Sequence, residues 1–123
     1  MSNALILISH GSPRAQANEE FLSLVERVAQ MVAGQYSLVT GAFLGSTTPD
    51  IATAINDAIS QGATSINVLP YFLNSGVHVA KDVPAIIEQQ QQNNPHCTIT
   101  LLPCFGLDSN IVELITAQVT NCQ

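Results

Sequence analysis

Four apolar segments in this chain each run into a stretch of helical periodicity, and this alternation limits the possible folds more than any other feature. Residues 5–8 (LILI) form an unbroken apolar run, as expected of a strand buried on both faces. Phe21, Leu24, Val25, Val28, Ala29 and Val32 then fall on one helical face, with Ser23, Glu26, Arg27 and Gln30 on the other. Ser12 and Asn18 are read as caps for this helix, and Gly34 as its stop. Residues 36–44 read as a second strand. Thr48-Pro49-Asp50 opens a second helix, with a capping hydroxyl, a first-turn proline and an early acid. Its buried stripe is Ile51, Ala54, Ile55, Ala58 and Ile59, and Gly62 ends it. Residues 65–72 form a third strand. Asp82-Val83-Pro84 opens a third helix that buries Ile86 and Ile87, and the short tract QQQQNNP closes it without an assigned function. Residues 98–102 form a fourth strand. Asp108 or Ser109 caps a last helix carrying Ile111, Leu114, Ile115 and Val119. No linker or composition break divides residues 1–123, so one domain is expected.

Alternating strands and helices imply an α/β fold, a parallel sheet with right-handed crossovers and helices on both faces. The chain is 46% hydrophobic and 10% charged, whereas an average soluble domain is about 25% charged. This balance argues for a packed core and for apolar surface that a partner can cover. Three Lys+Arg against nine Asp+Glu give a formal charge of −6, which speaks against nucleic-acid binding and against attraction to anionic lipid. No apolar run is long enough to span a bilayer. The first apolar run is too short for a signal peptide and follows no basic segment, so a cytoplasmic protein is expected. Cys97, Cys104 and Cys122 form no CxxC pair and are read as reduced thiols; the alternative is a thiolate metal ligand, with Cys104 its best candidate.

In parallel sheets, ligands bind beyond the carboxyl ends of the strands. His10 stands just past the first strand, and His78 lies in a loop between the third strand and the helix after it. Two of the three histidines therefore share one sheet edge, together with Arg14 and Lys81, two of the three cations. His96 precedes the fourth strand, at the opposite edge. Neutral imidazole is the commonest protein metal ligand, so His10 and His78 are the candidate ligands of a divalent ion; the plainer reading is a pair of loop-capping histidines. Gly11 and Gly76 are expected to permit tight turns, or else close approach of backbone to a ligand.

The segments LISHGSPRAQANEEF, GAFLGSTTPDIATAI and LPYFLNSGVHVAKDVP resemble, in order and spacing, the small single-domain CbiX-type chelatases. These are class II chelatases, lyases that insert a metal into sirohydrochlorin in tetrapyrrole synthesis of the cobalamin and siroheme type. The resemblance implies a flavodoxin-like, chelatase-like parallel four-stranded sheet. It makes His10 and His78 the metal-binding and catalytic residues, with Co2+, Ni2+ or Fe2+ as a substrate and no tightly bound cofactor. Two pyrrole protons would be released. Ser12, Arg14, Asn74, Ser75, Gly76 and Lys81 are the expected contacts to the macrocycle, whose many carboxylates suit the two cations. Small members of the family work as homodimers, and longer relatives carry two such domains. One departure is clear: where the family often has glutamate, in FLE, this chain has Phe43-Leu44-Gly45. A tetrapyrrole or metal carrier without enzymatic activity is the rival reading. A phosphate-ester hydrolase using His10 would need paired arginines that the motif lacks.

Overall fold

The computed structural model describes residues 2–74 and 76–120, with the side chains of His78 and Val79 outside that description. Along the chain come β1 (Asn3–Ser9), α1 (Ala15–Met31), β2 (Leu38–Phe43), α2 (Ile51–Ser60) and β3 (Ser65–Pro70). A π-helical turn (His78–Asp82) leads into α3 (Val83–Asn93), followed by β4 (Thr98–Leu101), a 3-10 turn (Phe105–Leu107) and α4 (Asn110–Thr120). The strands pair in parallel in the order β2-β1-β3-β4. Ser9 is level with Phe43, and Ile8 with Pro70, so β1, β2 and β3 end together at one edge. The strand order reverses between β1 and β3, and this switch point is where doubly wound sheets open a ligand crevice.

Side-chain alternation divides β1 between two cores. Leu5 and Leu7 pack with Phe21 and Val25 of α1 and with Phe43. Ala4, Ile6 and Ile8 face the other way, onto Ile51, Ile55 and Ala58 of α2 and Val83 and Ile87 of α3. Each fully buried branched side chain contributes about 1.5–3 kcal/mol of transfer free energy.

Local details differ from the sequence expectations for identifiable reasons. The α2 cap is Asp50 rather than a Thr48 hydroxyl: its carboxylate accepts from the Thr53 N–H at 2.8 Å. Thr53 holds this exposed carboxyl below its ordinary range through hydrogen bonds from its side chain and its backbone. Ser12 and Asn18 do not cap α1, whose first-turn N–H groups receive no side-chain cap. The glutamine tract has structural work: Gln91 donates to the Cys97 carbonyl at 2.6 Å and accepts from the Ile99 N–H at 2.8 Å, tying α3 to the edge strand β4. Asp108 does bond the first N–H of α4, at 2.8 Å to Asn110. None of the α4 residues is fully buried, and Val112, Leu114, Ile115 and Val119 are more than half exposed. Cys97 and Cys104 are free and buried, and burial pushes the Cys97 thiol up in pKa, away from the reactive thiolate. Cys122 lies outside the described residues.

Candidate functional site

Backbone bonds continue past the sheet edge and fasten the three loops that begin there. The Leu44 N–H donates to the Ser9 carbonyl at 2.8 Å, Gly45 to His10 at 3.1 Å, and Tyr71 to Ile8 at 2.8 Å. Gly11 then turns the chain with φ +82°, a conformation that L residues rarely adopt, and a Cβ there would meet the Thr47 side chain. Gly76, in contrast, has no positive φ and open space where a Cβ would lie. The His10 loop is closed by a reciprocal pair: Ser12 N–H to Asn18 Oδ1 at 2.9 Å, and Asn18 Nδ2 to the Ser12 carbonyl at 2.8 Å. Ser12 Oγ accepts from the Arg14 N–H at 3.0 Å. These two residues therefore shape the loop that carries His10.

The His10 ring stands against Phe72, with centroids 4.3 Å apart and planes at 51°. Phe72 is buried whereas His10 is exposed, so a buried apolar ring backs an imidazole at the surface. A cavity of about 470 Å³ opens here between Ser9 and His10 on one side and Tyr71, Phe72, Leu73, Asn74 and Gly76 on the other. Asn74 and Gly76 are exposed on its wall. Arg14 and Lys81 are exposed, and the Arg14 guanidinium donates to Gln16 Oε1 at 2.9 Å. His78 opens the π-helical turn rather than standing in an irregular loop, and that turn is tied back by the Ala80 N–H on the Gly76 carbonyl at 2.9 Å. The position of the His78 imidazole, and all of Ser75, lie outside the described residues. His96 is at the opposite edge, lining a separate cavity with Gly62 and Pro95.

Among the described residues no three His, Cys, Asp or Glu side chains gather as a metal cage. The Asp50 carboxylate caps α2, that of Asp108 caps α4, and Asp82 stands at the start of α3. The Cys104 thiol donates to the Phe72 carbonyl at 2.9 Å and is thereby a structural group at this site. Phe72 was the residue hidden from sequence reasoning. It read as the end of a strand, and nothing local marks a ring that will meet a histidine 62 positions earlier in the chain.

Gly45 lies at the same edge, and a Cβ built on it would sit 3.1 Å from the His10 carbonyl oxygen. Its φ is not positive, so a side chain there needs only a shift of a few tenths of an ångström. In the reading that gives His10 an ion, a carboxylate at this position would stand beside the residue that holds it. Gly45→Glu should therefore lower the Kd for Co2+ in calorimetric titration, by about tenfold for one added charged oxygen ligand. An equal or weaker Kd in a folded variant would place position 45 outside the ion's reach.

A parallel doubly wound sheet with an aromatic-backed histidine beside its switch point defines an α/β protein of the class whose ligand crevices open at the carboxyl edge of the sheet. The CbiX family model matches residues 4–122, and the chain belongs to the CbiX family. It is 32% identical over 91 residues to the sirohydrochlorin cobaltochelatase of Methanocaldococcus jannaschii, a match covering 74% of this chain and 62% of that protein. It is 30% identical to the sirohydrochlorin cobaltochelatase of Methanosarcina barkeri, over 94% of this chain and 92% of the relative. Among solved structures, the sirohydrochlorin chelatase SirB from Bacillus subtilis subspecies spizizenii, in complex with cobalt, superposes with a TM-score of 0.84 at 25% identity. That superposition covers 99% of this chain and 51% of SirB, so the chain spans about half the length of that relative. Among the described residues no helix is long and apolar enough to cross a membrane.

Proposed function

We propose that this protein is a sirohydrochlorin chelatase, inserting a divalent metal into sirohydrochlorin with release of two pyrrole protons. The observation that carries this reading is His10, exposed at the switch-point crevice with its ring against Phe72 and lining a cavity of about 470 Å³. Family membership and the names of the relatives point to the same chemistry. In this reading His10 and His78 bring the ion, and a neutral imidazole nitrogen accepts a proton as the pyrrole loses it. Co2+, Ni2+ and Fe2+ are borderline cations that suit imidazole, and cobalt and iron both have the support of relatives' names. The product would enter cobalamin- or siroheme-type tetrapyrrole synthesis. The test is absorbance spectroscopy of sirohydrochlorin with purified protein and each metal in turn. Insertion faster than the uncatalysed rate with at least one metal is expected, and no acceleration with any of the three would overturn the proposal.

The macrocycle carries many carboxylates, and Arg14 and Lys81 are the cations of the two loops. Their contacts would lie away from the metal and act equally in ground and transition states. Arg14→Ala and Lys81→Ala should each raise KM for sirohydrochlorin several-fold while leaving kcat within about twofold. Unchanged KM in both would remove these residues from the substrate contacts.

The proposal includes a homodimer. One domain offers a single wall to a flat macrocycle, and SirB has about twice the length. The exposed apolar residues of α4 add surface that a second copy can cover. Light scattering should give twice the chain mass at micromolar concentration, and a fully active monomer would contradict this part. A carrier that binds metal or tetrapyrrole without turnover is the second reading. It is favoured by Gly45, which leaves the site without the carboxylate often found there in the family.

A further inference from the structure

Three groups around the 3-10 turn after β4 converge on the loop that backs His10. The carbonyl of Phe72 accepts two bonds, one from the Cys104 thiol at 2.9 Å and one from the Gly106 N–H at 2.9 Å. The Phe105 ring meets the Tyr71 ring, centroids 5.2 Å apart. At Gly106 the backbone lies flush on the Leu73 backbone, and a Cβ there would overlap the Leu73 carbonyl group. The turn thus grips three consecutive residues, 71–73, beyond the point where β3 ends at Pro70. The Tyr71 N–H still reaches β1, on the Ile8 carbonyl at 2.8 Å, and one residue further on the Phe72 carbonyl is held by the two donors from the turn. The Phe72 side chain then leaves the backbone in a fixed direction and meets His10.

We propose that Cys104 and Gly106 are positioning residues for His10, acting through Phe72. The inference rests on the reading of His10 as a metal-carrying residue only for its effect on rate; the geometric part stands without it. A sulfhydryl is a weak donor, so its loss should loosen the Phe72 peptide without unfolding the buried site. Displacements of order 1 Å at a reacting group cost up to about a hundredfold in rate.

The test reads the His10 imidazole by NMR in metal-free protein, with its resonance assigned by its disappearance in His10→Ala. In the wild type that resonance carries the ring-current shift of Phe72, and Phe72→Leu should abolish the shift. Cys104→Ala removes the donor; Cys104→Ser keeps one. In Cys104→Ala the His10 resonance should move toward its position in Phe72→Leu, and kcat for metal insertion should fall by about tenfold with KM for sirohydrochlorin nearly unchanged. Cys104→Ser should restore both. Gly106→Ala should shift the resonance further, with folding checked by its thermal melt; should it fail to fold, the Cys104 pair decides. A His10 resonance in Cys104→Ala that coincides with the wild type would overturn the proposal. A moved resonance, with insertion that His10→Ala does not impair, would leave the positioning intact and remove His10 from the chemistry instead.

Discussion

His10→Ala should lower the rate of metal insertion at least a hundredfold while the protein stays folded. Loss of a positioned proton acceptor typically costs a hundredfold to ten-thousandfold, and in the proposed function the same side chain also brings the ion. The structure gives reason to expect an intact fold. His10 is exposed, its backbone bond to Gly45 does not involve the side chain, and the Ser12–Asn18 pair holds the loop independently. His78→Ala should show the same loss, because His78 begins the turn that leads into α3 on the same sheet edge. His96→Ala should match the wild type, since that residue sits at the other end of the sheet. Steady-state insertion rates, with circular dichroism as the folding control, check all three. Full activity in either of the first two variants would remove that histidine from the site.

Phe43→Ala should cost about 3–5 kcal/mol of stability, a large share of the 5–15 kcal/mol typical of a domain. Phe43 is 1% exposed and fills the core between the sheet and α1, edge to face with Phe21 at 5.5 Å between centroids. Truncation leaves a cavity that α1, held by Phe21 and Val25 alone as fully buried residues, can close only in part. The same ring approaches Gly11, where its Cδ1 lies 3.3 Å from the place a Cβ would occupy. The change should therefore loosen the His10 loop as well. Urea denaturation would measure the loss, and a value below about 1 kcal/mol would mean that the α1 face of the core collapses around the gap.

Much of the architecture was legible because the two hydrophobic periods differ. Runs such as residues 5–8 cannot be solvated strands, and the stripe Ile51, Ala54, Ile55, Ala58 fits only a helix, so the parallel sheet followed. His10 was legible for the same reason: an apolar run that stops at a histidine places it at the carboxyl edge of a buried strand. The rest depends on contacts that no local pattern encodes. The α4 residues Leu114, Ile115 and Val119 mark an apolar face, but amphipathicity does not name what covers it, and in this chain they stay exposed. The capping role passed from Thr48 to Asp50 because both are good caps and only the helix start distinguishes them. Ser12 and Asn18 have cap chemistry and use it within the His10 loop, the Asn18 amide on the Ser12 backbone and the Ser12 hydroxyl on the Arg14 N–H. Phe72, Cys104 and Gly106 meet across more than 30 positions, and the link to His10 exists only once β1 and β3 lie side by side.

Whether the protein turns over is the question that separates a chelatase from a carrier built on the same fold. The most direct measurement incubates a known amount of protein with excess sirohydrochlorin and excess Co2+, and counts metallated product per chain after subtracting the protein-free reaction. Many equivalents of cobalt-sirohydrochlorin per chain, lost in His10→Ala, is the predicted result. Product that stops at one equivalent per chain, with the macrocycle still bound, would contradict it.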